Sequence, residues 1–266
     1  MLLLLWGYRL DNLGHGSGTP PPLAWNHTFP VGLAAVSLLI AIVVLALLQK
    51  KILASKYGPG ILHNTMRGYW FLGVAAATIL SGCMLFSYAV GQAESTLRKT
   101  MLNTVGLLVQ TINPSDVRSL TGAKADLQTP AYQRLKKHLV HQHGFLPDVR
   151  LISLMKLRNK QTLVLVDSEP EESAEYSPPG EVYSEASEQL LEGIRSGTHF
   201  IEGLCVDRWG IWMSFYSPVK DHENSETLVF LALDMDAYLW SDTVRKSGLM
   251  PLMLTVIILF LLTAIH

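Results

Sequence analysis

Three stretches of this chain carry no formal charge and are long enough, or nearly so, to cross the hydrocarbon of a bilayer: Val31 to Leu48, Tyr69 to Val90 and Gly248 to Ile265. A spanning helix needs about 20 apolar residues, with ~17 tolerated. Charged residues make up 16% of the sequence, against roughly 25% in an average soluble protein, and the deficit sits in these runs. Core helices of a large enzyme would rarely repeat such a pattern with polar flanks each time. The chain reads as a membrane protein, and any folded body must fit between its spans.

The loop between the first two runs sets the orientation. It holds Lys50, Lys51, Lys56 and Arg67 and no acid, and Lys and Arg collect on the cytoplasmic side of short loops. Residues 49–68 are therefore expected inside, with 1–30 outside as a segment and Gly/Pro-rich linker, and 91–247 outside as one domain. The run from Gly248 to Ile265 returns to the cytoplasm, so the chain reads as the sensory part of a longer protein. MLLLLWGYRL is too short to span and lacks the charged start of a secretory signal.

The outer segment opens with a helical pattern. Leu97, Met101, Val105, Leu108 and Ile112 recur at helical spacing, predicting an amphipathic helix from Ala93 to Ile112 that continues from the second span. Asn113-Pro114 ends it. Thr129-Pro130 is a cap and first-turn proline for a second helix that stops at Gly144. Strand-like runs follow at Val149 to Leu157, Gln161 to Asp167, Thr198 to Leu204, Trp209 to Pro218 and Thr227 to Asp234. A short helix, Ser184 to Arg195, interrupts them, and Ala237 to Lys246 leads into the last span. The expected fold is α+β, with a five-stranded antiparallel sheet built from a hairpin and a meander.

The most informative strand lies in GLCVDRWGIWMSFYSPVKD, expected at the centre of the sheet. Trp209, Ile211, Met213 and Phe215 alternate with Trp212, Ser214 and Tyr216, so the two sets face opposite ways. The first set is apolar and belongs on a core. The second mixes aromatic surface with hydroxyls, which either lines a small-ligand pocket or meets water. Pro218 has no donor for a sheet ladder and is expected to close the strand.

Taken in order, the long helix, LTGAKADLQTPAYQRLKKHL, VRLISLMKL, LVLVDSEP, SPPGEVY, DRWGIWMSFYSPVKD and LVFLALDMDAYLW resemble the extracytoplasmic PAS-like sensor domains called Cache or PDC domains. The resemblance covers Ala93 to Trp240 and lies in the order of the motifs rather than in any one of them. It implies a small-metabolite site on the face carrying Trp212, Ser214 and Tyr216, beneath the loop Ser177 to Tyr183. The candidate ligand contacts are Arg150, Asp167, Tyr183, Trp209, Trp212, Ser214, Tyr216 and Asp234. The carboxylates suit an amine or hydroxyl, and the Arg150 fork suits a carboxylate. Each has an ordinary alternative: strand-end aspartates cap turns, and Arg150 could serve a surface ion pair.

Such domains usually sit ahead of a histidine kinase or a diguanylate cyclase. The expected function is the sensory portion of a two-component sensor histidine kinase, working as a homodimer anchored in the plasma membrane. A diguanylate cyclase sensor, a chemoreceptor and an accessory membrane protein without ligand stay open. No nucleophile, base and orienting group occur together, so no catalytic residue is assigned. A net charge of -1 and the lack of a basic stripe argue against nucleic acid. Cys83 and Cys205 are not expected to pair. His138, His141 and His143 complement a helix dipole without a metal, and no metal or cofactor is expected. The eight acids from Asp167 to Glu188 read as a solvated loop.

Overall fold

A computed structural model describes residues 59–221 and 225–265 of the chain. The first apolar run, the amino-terminal segment and Lys50, Lys51 and Lys56 lie outside the described residues. The chain divides into two compact units. Among described residues, one comprises Thr96 to Asp242 and the other comprises 59–95 with 243–265.

Helix α1 is continuous from Pro59 to Val109, about 77 Å at 1.5 Å per residue. Its apolar run and its amphipathic part form one helix, as the spacing predicts. The end comes earlier than expected: after Val109 the chain tightens into three-residue turns, with Gln110 N donating to Leu107 O and Ile112 N to Val109 O, the usual contraction of a helix end. Met101, Val105 and Ile112 are buried, so the apolar stripe of α1 is used within its own unit.

Asn113 Oδ1 accepts Ser115 N at 3.0 Å and starts a short helix, α2 (Pro114–Ser119), that the sequence reading did not separate. A 3-10 turn, Lys124–Gln128, was likewise missed. Helix α3 runs Pro130–His143, capped by Thr129 as its sequence predicts. Strands β1 (Leu151–Arg158) and β2 (Gln161–Asp167) form the hairpin. Helix α4 (Glu188–Ser196) precedes β3 (Phe200–Val206), β4 (Ile211–Lys220) and β5 (Thr227–Asp236).

The five strands form one antiparallel sheet in the order β2-β1-β5-β4-β3. The central strand is thus β5, not the expected β4, because β1 pairs with β5 rather than with β4. Pro218 does not end β4 either. Pairing with β3 stops at Tyr216, while β5 continues to Lys220, so Pro218 sits where one side of the ladder is already open.

Both faces of β4 are covered. Met213 and Phe215 lie opposite Met235 and Leu233 in a core that also holds Ile152, Leu154 and Leu231, and α3 packs on β1 and β2. The other face carries Met155, Val164, Tyr216, Phe230 and Ala232, packed with Tyr183 from the long β2–α4 loop and with Leu190 and Ile194 of α4. The reading in which the Trp212, Ser214 and Tyr216 face meets water is ruled out by this layer.

The second unit contains the membrane-like sequence. Helix α5 (Ala237–Lys246) begins in the first unit and ends in the second, where α6 (Leu249–Ile265) follows it. Trp70–Val109 and Ala237–Ala264 are long and apolar enough to cross a membrane, and only 6% of either apolar window is buried. Within this unit Ser247 Oγ donates to Ala89 O at 3.2 Å, and Gly82 lies against Thr255.

Candidate functional site

The cavity sits on the β4–β5 face, under the loop that follows β2. All eight candidate residues line it: Arg150, Asp167, Tyr183, Trp209, Trp212, Ser214, Tyr216 and Asp234. They come from β1's start, the end of β2, the covering loop, the turn before β4, β4 itself and β5. Ser214 pairs with Asp234 across the ladder, and Leu151 pairs with Asp234 from the other side. That register is what gathers residues far apart in the sequence.

Trp209 departs from its expected side. Strict alternation would place it with Ile211 and Met213, yet it precedes the first residue of β4 and belongs to a turn. Asp207 Oδ1 accepts Trp209 N at 2.9 Å and Gly210 N at 3.0 Å, an Asx turn that turns the ring toward the cavity. There it stacks parallel to Tyr183 with centroids 6.5 Å apart. The guanidinium of Arg208 lies 4.2 Å from the Trp209 ring centroid.

Asp207 itself was not among the candidates. Besides capping its turn, it accepts Trp212 Nε1 at 2.8 Å and Tyr183 Oη at 3.1 Å. The Asp-x-x-Gly spacing signals the turn, but the two aromatic partners arrive from other elements. Glu175, Ser177 and Ser153 also line the cavity and were not singled out as contacts. Ser153 is 1% exposed, and its Oγ has no hydrogen-bond partner among the described residues. Buried hydroxyls normally find one.

The acidic segment is only in part the solvated loop expected: Glu171, Glu172 and Glu188 are exposed, but its first two acids are not. Asp167 and Glu169 are buried. Arg150 reaches Glu169 at 2.5 Å and also holds Glu175. Lys136 meets Asp167 at 2.9 Å and bonds the Glu169 carbonyl. Ser177 N donates to Asp167 Oδ2 at 2.7 Å, and Arg208 bridges Glu181 and Glu185. Gly180, at φ +87°, is pressed against the carbonyl of Gly122. The loop is fastened at each end by cations that the sequence places elsewhere. Arg150 lines the cavity and also makes the ion pairs that were its ordinary alternative, with Glu169 and Glu175 of the loop.

Behind the cavity lies Glu202, also buried. Its Oε2 accepts Tyr216 Oη at 3.2 Å, and its Oε1 accepts the Ser187 hydroxyl. Burial raises its pKa despite these two bonds, and Asp207 adds to the rise. Asp234 is pushed up to about 7 by burial, opposed by its bond from Ser214 and reinforced by Asp207 and Glu202. Asp167 is raised by burial even against Lys136 and Ser177. Glu169 goes the other way: burial is outweighed by Arg150 and Ser173. Burial, with Glu202 nearby, takes the Cys205 thiol up to about 12, which removes its thiolate at neutral pH.

The free space is about 30 Å³, room for roughly two waters at about 10–15 Å³ each. A larger solute needs the loop to yield. The three histidines of α3 take separate partners: His138 bonds Thr111 and Gln142, His143 bonds the Val149 carbonyl, and His141 packs edge-on against Phe145. Among the described residues, no group of three or more His, Cys, Asp or Glu side chains could hold a metal ion.

No protein-family model matches the chain, and no curated protein matches its sequence. Among solved structures, the ligand-binding domain of the Campylobacter jejuni chemoreceptor Tlp3 in complex with L-valine is similar at 12% identity. It covers 65% of this chain and 66% of that one, with a TM-score of 0.42. The sensory domain of the same receptor with isoleucine bound aligns at 11% identity over 65% of each chain, TM-score 0.41. The periplasmic domain of RsbU from Chlamydia trachomatis aligns at 21% identity over 59% of this chain and 56% of that one, TM-score 0.29. The chain spans just under two thirds of the length of the Tlp3 domain with L-valine bound.

Proposed function

We propose that residues 96–242 form an extracytoplasmic sensor domain that binds a small solute in the cavity between β4–β5 and the covering loop. The observation that carries this reading is the convergence of the eight candidate residues, drawn from six separate segments, on one partly enclosed space. Aromatic walls with a few aimed polar groups are what small-solute sites are made of. Helices α1 and α5–α6 connect the sensor to the membrane, so a solute that prefers one arrangement of the loop biases both connections. A shift of roughly 1–2 Å along a helix is enough for such a signal.

The output proposed for this sensor is a two-component histidine kinase, working as a homodimer in the plasma membrane. A diguanylate cyclase or a chemotaxis receptor would use the same sensor. The test is thermal unfolding of the full chain in lipid nanodiscs with organic acids, amino acids, amines and divalent cations. A true ligand at 100 times its Kd should stabilise by about 2.7 kcal/mol. A flat response to all classes would favour an accessory membrane protein over a receptor.

A further inference from the structure

We propose that this cavity takes a small organic cation and releases a proton as it does so. The inference rests on the sensor reading above and adds the ligand's charge and its coupling to pH.

The balance of charge points this way. Asp167, Glu175, Asp207 and Asp234 line the cavity, with Arg150 the only cation among the lining residues. Arg150 is already engaged by Glu169 and Glu175, and Asp167 by Lys136. Arg208 is engaged by Glu181 and Glu185. No cation among the described residues pairs with Asp234, Glu202 or Asp207, although they lie close enough to influence one another.

Their hydrogen bonds divide the work unequally. Asp207 accepts four donors. Glu202 accepts two hydroxyls. Asp234 is left with the Ser214 hydroxyl. The other titratable groups coupled to it are acidic or neutral: Asp207 from the turn before β4, Glu202 and Cys205 from β3, Tyr216 from β4 and Tyr183 from the loop. The Arg150 backbone N–H donates to the carbonyl of Asp234 at 2.7 Å, while its guanidinium serves the loop. A half-buried carboxylate that lines a cavity and has no cation partner either keeps its proton or meets an external cation. Asp234's elevated pKa, near 7, agrees with the geometry. Ser153 supplies a further open acceptor in the same space, and Tyr and Trp faces favour cations.

The step balances simply. The neutral carboxylic acid of Asp234 loses its proton to solvent, the resulting carboxylate pairs with the entering ammonium, and no covalent bond to carbon changes.

The experiment uses the full chain in nanodiscs, with methylammonium and n-butylammonium as cationic probes and acetate as the anionic one. Titration calorimetry is run from pH 5 to 8 in two buffers of different ionisation heat. Amine affinity should rise roughly tenfold per pH unit up to about pH 7, nearly hundredfold overall, with close to one proton released below pH 7. Asp234→Asn should bind weakly and without pH dependence, and Ser153→Ala should weaken binding while keeping the slope. The wild-type series decides the matter even if a variant misfolds. Amine binding that ignores pH and releases no proton overturns the exchange but leaves the sensor intact. Preference for acetate, or no binding of either amine, overturns the cationic ligand, and the thermal panel then judges the sensor separately.

Discussion

Tyr183 Oη donates to Asp207 Oδ2 at 3.1 Å, and this bond ties the loop over the cavity to the turn that leads into β4. Asp207 Oδ1 is already occupied by the backbone of that turn and by Trp212. Tyr183→Phe keeps the ring stacked on Trp209 but removes a donor from a carboxylate, a loss of about 1.5–3 kcal/mol. Urea titration followed by tryptophan fluorescence should show that loss. A change below about 0.5 kcal/mol, typical of uninvolved surface sites, would mean that the bond does not hold the loop.

Arg150 fixes the other end of the loop through Glu169 and Glu175. Its head is partly exposed, so each pair is worth modest energy, about 1 kcal/mol or less. Removing both at once should free the loop without unfolding the sheet. Arg150→Ala is expected to speed amide exchange across 169–177 by roughly tenfold, since 1.4 kcal/mol corresponds to a factor of ten. Exchange in β5 should not move. Equal acceleration in loop and sheet would show that Arg150 supports the whole unit instead.

Gly180 tests how closely the loop is seated. Its φ of +87° suits glycine, and a Cβ there would collide with the carbonyl of Gly122. Gly122 is itself held, because Asp126 accepts the backbone N–H groups of Thr121 and Gly122 at 3.0 and 2.7 Å. Neither side can retreat cheaply. Gly180→Ala should cost about 2–4 kcal/mol, combining backbone strain with a displaced neighbour. The melting temperature of the variant checks this, and an unchanged value would place the loop elsewhere.

What could be seen in the sequence was whatever local periodicity encodes. The α1 stripe, the Thr129-Pro130 start of α3 and the five strands follow from spacing and punctuation. So does the face shared by Trp212, Ser214 and Tyr216. What escaped depends on pairing. Glu202 and Cys205 are three residues apart, so alternation assigns them opposite faces. A bulge between them, with Leu204 at φ +44°, sets Glu202 opposite Ser214 and Cys205 opposite Trp212. Both side chains then reach cavity groups, as extra strand residues allow. Lys136, Arg150 and Arg208 act on the acidic loop from outside it, so a local charge run looked solvated when its partners were merely remote in sequence.

Within the second unit, Gly82 faces Thr255, and a side chain at Gly82 would overlap the threonine's Cβ and both its branches. Small residues let helices approach closely where no hydrophobic gain drives them together. On a Cys83→Ser background, Ala89→Cys paired with Ser247→Cys should cross-link readily, because Ser247 Oγ reaches Ala89 O at 3.2 Å. Adding Gly82→Leu should cut the cross-linking rate several-fold. No change in rate would mean that α1 and α6 do not meet at this glycine.

Asp234 gives the pH dependence its sign. Its pKa is raised from 3.8 to about 7 in the folded chain, so the folded state holds the proton more tightly than the unfolded one. Stability from this group is complete below about pH 4 and is lost as pH rises toward 7. The loss is on the order of 4 kcal/mol by linkage. Glu202 and Asp167 are also raised and share that sign. Asp116, Asp126 and Glu169 are lowered, so their contribution disappears only as pH falls below the usual carboxylate range. Asp234→Asn keeps an acceptor for Ser214 without the titrating charge. It should match the wild type near pH 4 and melt at higher temperature at pH 8. A variant less stable than wild type at pH 8 would show that the Asp234 carboxylate is stabilised by a partner the present geometry does not contain.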